Sequence, residues 1–214
     1  VHGFTLGGGC EIMLHADAIV AHAELTAGLP EVKVGLIPAW GGCTQVLLRA
    51  QQEPRGAKGP GAALAAAFAT IFGGALSGSA QQARAVGLLR WGDRIVMHRD
   101  HLIGHAKRRA LELAAGGYAP PPRLPVEAAG RSGMLAVTNG VRGEHAAGRL
   151  TTTDLAMAEA LALVLSGGGE AVPRPRSEEE MMALERSALL ELAGSAATRQ
   201  RMEHMLATGK PLRN

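Results

Sequence analysis

The sequence predicts an α/β fold followed by a mainly α-helical C-terminal region. Three observations lead there. Short β-prone runs, VHGFTL at 1–6, AIVA at 18–21 and RIVM at 94–97, alternate with helical stretches through the first 115 residues. Glycine and proline separate those runs, ending with GGYAPPPRLP at 116–125. Beyond that segment come helical stretches with strong start signals, among them SEEEMMALERSALLEL.

Taken in order, 1–6 reads as a strand, Gly7–Gly9 as a tight turn and Cys10–Ala16 as a helix. A second short strand falls within Asp17–Ala23. LTAGLPEVKVGLIPAWGG, residues 25–42, carries too many glycines and prolines for a long helix or strand and reads as a structured loop. A helix resumes near Thr44, and QQEPRGAKGPG at 51–61 reads as a linker. Ala62–Phe72 is alanine-rich and helical, and GGALSGS breaks it. Ser79 with Gln82 fits a capping box, Arg94–Met97 a strand, and Asp100–Ala115 an amphipathic helix. Residues 126–150 read as irregular. Three helices then follow in TDLAMAEALALVL, SEEEMMALERSALLEL (capped by Ser177 and Glu180) and TRQRMEHMLATG. The boundary at 116–125 divides the chain into 1–115 and a helical tail, 116–214.

The 214 residues suffice for one domain with an appendage, and at 47% hydrophobic and 19% charged residues they can bury a core. Six aromatic residues (two Trp, three Phe, one Tyr), a net charge of only +3 and no dense Lys/Arg stripe argue against nucleic acid as a partner. No apolar run reaches bilayer length, so no membrane partner is expected. Cys10 and Cys43 form no CxxC, which points to a reduced, cytoplasmic setting, although two thiols can pair. His98, His101 and His105 share a helical face but sit among arginines and lysines, which repel a metal ion. There is no GxSxG, GxGxxG or Walker A pattern to anchor serine, dinucleotide or nucleotide chemistry.

The glycines carry the chemistry. A strand turning sharply into a helix exposes free N–H groups at the helix start. Without side chains at 7–9, a carbonyl oxygen can reach them and be polarised, or the turn serves close packing alone. Glu11, in the first turn, suits a base or water-holding role or simply stabilises the helix start. Glu31, flanked by Leu29, Pro30, Val32 and Val34, is either an exposed loop carboxylate or one biased toward its neutral, proton-donating form.

GFTLGGGCEIMLHAD and GLPEVKVGLIPAWGGCTQVLLRA together resemble the crotonase (enoyl-CoA hydratase/isomerase) superfamily. The GGGCE turn, Asp17, the PE-x-x-x-G-x-x-P run and the double glycine occur in its order. The resemblance implies a partial crotonase-type ββα fold, strongest over 1–50. It makes the N–H of Gly8 an oxyanion-hole donor, Glu11 and Glu31 the two catalytic glutamates, and Gly7, Gly9, Ala39 and Trp40 substrate-contacting positions. Both glutamates favour a hydratase over a Δ3,Δ2-enoyl-CoA isomerase, and a non-catalytic assembly fragment is a third reading. Trp40 stands where hydratases usually have a small residue, which bears on acyl-chain preference.

GGYAPPP and MLATGKPLRN resemble the tail of bacterial bifunctional proteins that join a 3-hydroxyacyl-CoA dehydrogenase to a crotonase domain. The expectation is therefore the C-terminal portion of a longer protein, acting on an acyl-CoA thioester in fatty-acid β-oxidation. The resemblance implies a homo-oligomer, with the second oxyanion donor outside this chain. No metal is implied, coenzyme A enters as part of the substrate, and NAD enters only with an upstream dehydrogenase domain.

Overall fold

Strand β1 (Phe4–Leu6) lies parallel to β3 (Thr26–Gly28) in the computed structural model, which describes residues 1–74 and 76–214. Phe4 faces Thr26 and Leu6 faces Gly28, and Thr26 N→Gly3 O (2.8 Å) and Gly7 N→Gly28 O (3.0 Å) extend the ladder at both ends. Parallel neighbours need a crossover. Here it consists of helix α1 (Gly8–Leu14) and strand β2 (Val20–His22). β2 pairs in parallel with β4 (Arg94–Val96), Val20 opposite Arg94 and His22 opposite Val96.

The expected loop at 25–42 thus contains a three-residue strand, β3, which acquires its identity from β1 rather than from local sequence. A 3₁₀ turn, Pro30–Val34, follows it and ends on Gly35 in the left-handed region (φ 81°). On its other side β3 is held by Ser77, whose Oγ accepts from Ala27 N (2.8 Å) while its own N–H donates to Ala27 O (2.8 Å).

Helices α2 (Gly42–Gln52), α3 (Pro60–Phe72) and α4 (Ala80–Ala85) come next. Within the GGALSGS break, Ala75 lies outside the described residues. The Ser79 cap is half of the expected box. Ser79 Oγ accepts from Gln82 N (3.1 Å), but Gln82 Oε1 takes the N–H of Gly78 instead of that of Ser79. The helix expected from Asp100 begins with a 3₁₀ turn, Arg99–His101, and continues as α5 (Leu102–Ala115).

The expectation of irregular structure over 126–150 is corrected. A short strand β5 (Val126–Glu127) opens the region and α6 spans Gly130–Ala146. Gly130, Gly133, Gly140 and Gly143 depress its helix propensity and obscure its pattern. Its half-buried and buried side chains, Met134, Val137, Thr138 and Val141, nonetheless fall on one face. α7 (Thr152–Leu165) starts with a full capping box from Thr151 and Asp154, and strand β6 (Pro175–Arg176) pairs antiparallel with β5. α8 (Glu178–Gly194) has the expected Ser177/Glu180 box, and α9 (Ala196–Thr208) follows.

One apolar cluster runs from Cys10, Leu14, Leu25 and Ile37 through Leu64 and Ile71 to Leu161, Leu165, Met181 and Leu192. Each fully buried leucine or isoleucine in it contributes on the order of 1.5–3 kcal/mol. The tail and the first 115 residues share this core. Cys10 and Cys43 are buried free thiols, and burial pushes Cys10 up to about 12. No described helix is long and apolar enough to cross a membrane.

Candidate active site

Because β1 and β3 are adjacent and parallel, whatever follows their C-terminal ends must also be adjacent. After β1 comes Gly7, and after β3 come Leu29, Pro30 and Glu31. A Cβ added to Gly7 would sit 3.2 Å from Glu31 Oε1, so the turn and the carboxyl are in contact. Gly7 holds φ 54°, a conformation L side chains rarely adopt. It is also the N-cap of α1, and the first cap bond runs from Glu11 N to its carbonyl (2.9 Å). The N–H groups of Gly8, Gly9 and Cys10 therefore precede the helical ladder. Nothing lies within 4 Å of a Cβ built on Gly8 or Gly9. The turn is open where a ligand oxygen would approach, and closed on the Glu31 side.

Glu11 is 2% exposed. Its Oε1 accepts N–H bonds from Trp40 (2.8 Å) and Gly42 (3.0 Å), which fixes the carboxylate against the 38–42 loop. Gly42 is glycine for want of room: a Cβ there would be 2.7 Å from Glu11 Oε1 and 2.6 Å from Pro38 Cβ.

Glu31 has different surroundings. Its Oε2 is buried without a hydrogen-bond partner among the described residues. Burial raises its carboxyl from 4.5 to about 7, with the Glu11 charge adding to the rise. One carboxylate is thus anchored by two backbone donors, while the other has Oε1 beside the glycine turn, a bare Oε2 and a proton affinity near neutrality. Such a pair suits proton transfer in which one group holds a water and the other exchanges a proton.

Trp40 contributes backbone in two directions: its N–H goes to Glu11 and its carbonyl oxygen lies 3.2 Å from His15 Nε2. Its side chain is 74% exposed, so the indole is not packed into a wall of the site in this chain.

Glu185 is a residue the sequence reading missed. It sits on α8 and is 0% exposed. Oε2 accepts from Gly41 N (2.8 Å), and Oε1 accepts from Thr44 N (2.7 Å) and Thr44 Oγ1 (2.5 Å). Gly41, the N-cap of α2, has no side chain to cap with, so a carboxylate from another helix supplies the acceptors and the favourable charge. Burial raises its carboxyl, and the Thr44 and Gly41 bonds oppose that rise. The clamped N–H of Gly41 lies between the two N–H groups that hold Glu11. The available sequence signal was its place on the stripe of Met181, Ala188 and Leu192, all buried. On the other side of the site, Thr198 Oγ1 of α9 donates to Gly35 O (3.3 Å), bracing the turn that carries Glu31.

The family profile described as Enoyl-CoA hydratase/isomerase matches residues 1–117. A Bacillus subtilis (strain 168) protein named probable 3-hydroxyacyl-CoA dehydrogenase is 38% identical over 212 residues, 99% of this chain but 26% of that protein. A probable enoyl-CoA hydratase of Rhizobium meliloti (strain 1021) is 33% identical over 145 residues, 68% of this chain and 49% of that protein. Among solved structures, a carnitinyl-CoA hydratase from Mycobacterium avium aligns with 98% of the chain and 59% of its own length, at 20% identity and a TM-score of 0.56. An enoyl-CoA hydratase/isomerase from Pseudoalteromonas atlantica T6c aligns with 99% of the chain and 62% of its own, at 18% identity and the same TM-score. At those identities the likeness is one of fold. The chain spans about a quarter of the B. subtilis relative and about half of the R. meliloti one.

Proposed function

The chain belongs to the enoyl-CoA hydratase/isomerase family, and we propose that it carries the acid–base centre of an enoyl-CoA hydratase, adding water reversibly across the 2,3 double bond of a trans-2-enoyl-CoA. The observation that carries the reading is the pairing of Glu11, fixed by the Trp40 and Gly42 N–H groups, with Glu31, unpartnered at Oε2, at an open glycine turn. In the hydration direction Glu11 holds and activates the water, whose oxygen bonds to C3 of the enoyl group. The π electrons move toward the thioester, and the N–H of Gly8 takes the developing charge on its oxygen. Glu11 takes the proton released as the water's O–H bond breaks, and a proton from Glu31 completes C2. Exchange with solvent then returns Glu11 to its carboxylate and Glu31 to its acid, so the net addition is one water. Gly7 and Gly9 leave the approach clear, the backbone of Ala39 helps position the water, and Trp40 flanks the acyl chain.

We place this centre in a longer, bifunctional protein of fatty-acid oxidation that also has 3-hydroxyacyl-CoA dehydrogenase activity. The similarity to the B. subtilis protein over nearly the whole chain supports that setting. In it, residues 1–115 form the C-terminal half of the crotonase domain and 116–214 its helical tail. The setting is cytoplasmic and the assembly homo-oligomeric, and neither metal nor organic cofactor enters the hydration step.

Loss of the conjugated-thioester absorbance of a short trans-2-enoyl-CoA tests the reading. Glu31→Gln should lower kcat by about 10²–10⁴-fold, the usual range for removing a general acid, with folding retained. An unchanged rate would remove Glu31 from the mechanism. Activity on a 3-enoyl-CoA that needs Glu31 but not Glu11 would mark an isomerase instead, and binding of partner subunits without any response to acyl-CoA would mark an assembly fragment.

A further inference from the structure

At the far end of α1 from the glycine turn, a cavity of about 840 Å³ opens between α2, the 53–57 turn, α3 and the 84–92 segment. Its wall is largely alanine, including Ala63, Ala66 and Ala67, with Val46 and Leu89. Four arginines line it: Arg49, Arg55, Arg84 and Arg90. None of them is in an ion pair among the described residues, whereas Arg94, Arg142, Arg149, Arg174, Arg176 and Arg201 all are.

Arg49 is 6% exposed; its Nη2 donates to Leu14 O (2.7 Å), while Nε and Nη1 are buried without a partner among the described residues. Arg84 donates Nη2 to Asp93 O (2.6 Å) and leaves Nε buried and unpartnered. Arg90 donates Nη1 to Ala16 O (2.9 Å), and Arg55 stacks over Trp91 at the rim, 4.0 Å from the ring centroid.

Two acids are near, Asp93 and Glu53, and neither forms an ion pair with these arginines among the described residues. Both Asp93 oxygens accept backbone N–H bonds, from Ile19 (3.0 Å) and Arg90 (2.6 Å), and Glu53 Oε1 accepts from Arg55 N (3.1 Å) in its own turn. Burial and repulsion from Arg90 lower Arg49 to about 10, against the pull of Asp93, which leaves it a cation at neutral pH. Four arginines outside any ion pair among the described residues make the field in this cavity positive and favour an anion within it.

We propose that this cavity is a binding site for an amphiphilic organic anion, with a carboxylate head at Arg84 in the field of Arg49 and Arg90, and an apolar body along the alanine wall. Both parts are needed to use the lining. The volume falls within the range of small-molecule pockets. The site is separate from the Glu11/Glu31 centre, so it stands or falls independently of the activity proposed above.

Isothermal titration of the 214-residue chain with octanoate, acetate and 1-octanol tests it. Octanoate is expected to saturate at one per chain, with 1-octanol at least about tenfold weaker, since a charge-assisted hydrogen bond is worth that factor or more. Acetate is expected to be at least about tenfold weaker because it buries none of the chain methylenes. Arg49→Gln is expected to weaken octanoate by at least about tenfold. Because Arg49 also supports the end of α1, a second variant, Ala66→Phe, fills the cavity while leaving every arginine in place, and is expected to abolish binding with the circular dichroism and melting temperature retained. Octanoate binding unchanged in Ala66→Phe would overturn the location. Equal affinity for octanoate and 1-octanol would overturn the anion preference, and no binding by the folded wild-type chain would overturn the site.

Discussion

Replacing Glu31 by glutamine should change how stability depends on pH, in a direction the structure fixes. The carboxyl titrates near 4.5 when exposed and at about 7 in the folded chain, chiefly through burial. Between those values the native state binds the proton and the unfolded state has lost it, so stability falls as pH rises. At about 1.4 kcal/mol per pH unit, the whole window withdraws up to about 3 kcal/mol, complete once pH passes the folded value. Glutamine does not titrate, so Glu31→Gln should gain on the wild type by that amount between pH 4.5 and 8, whatever fixed offset its unpartnered amide introduces. Urea unfolding followed by tryptophan fluorescence at several pH values gives both curves, and their difference cancels the titrating groups that do not couple to Glu31, leaving Glu31 and its coupling to Glu11. A difference that stays flat across the window would refute the claim that Glu31 is held neutral by burial. A difference of opposite slope would place a cation beside it.

The Glu185 clamp makes a second expectation. Glu185→Gln puts an amide donor against the N–H of Gly41 or the Thr44 donors, and should cost about 1.5–3 kcal/mol, the range for a hydrogen bond to a charged group. Amide exchange at Trp40 and Gly42, which Glu185 does not touch, should also quicken; protection confined to Gly41 and Thr44 would reduce Glu185 to a helix cap. The glycines separate space from strain. Gly42→Ala forces a Cβ to 2.7 Å from Glu11 Oε1 and should destabilise the chain by about 1–3 kcal/mol in urea unfolding. Gly8→Ala, with nothing within 4 Å of the new Cβ, should leave stability unchanged or raised by up to about 1 kcal/mol. It should nonetheless reduce turnover, and full turnover with Gly8→Ala would show that no substrate oxygen approaches there.

Much of the site was legible because its chemistry is local. Three glycines between a strand and a helix mark a sharp turn, and the apolar neighbours of Glu31 made a carboxyl biased toward its neutral form one of two readings, beside an exposed loop carboxylate. The Ser177/Glu180 box was visible for the same reason, being closed within one helical turn. What was not legible depends on distant partners. β3 is three residues of loop-like sequence that become a strand only against β1. Glu185 finds Gly41 and Thr44 across 144 and 141 residues, and no local pattern names them. Helix α6 failed for a different reason: its four glycines argue against a helix locally, and burial of one face against the rest of the core overrides them.

The tail bears on the site more directly than a boundary at 116–125 suggests. Strand pairing brings Gly7 and Glu31 into contact, but it does not order the loops beyond the strand ends. Those loops carry φ values of 81° at Gly35 and 89° at Gly41, and glycine gives up the most backbone freedom on ordering. The compensating bonds come from the tail: Thr198 of α9 at Gly35, and Glu185 of α8 at Gly41. Each loop carries or holds one of the two carboxylates, the first through Glu31 itself and the second through the Trp40 and Gly42 donors to Glu11. The contrast between an anchored Glu11 and a bare Glu31 therefore depends on helices that begin more than 140 residues after α1 opens the site.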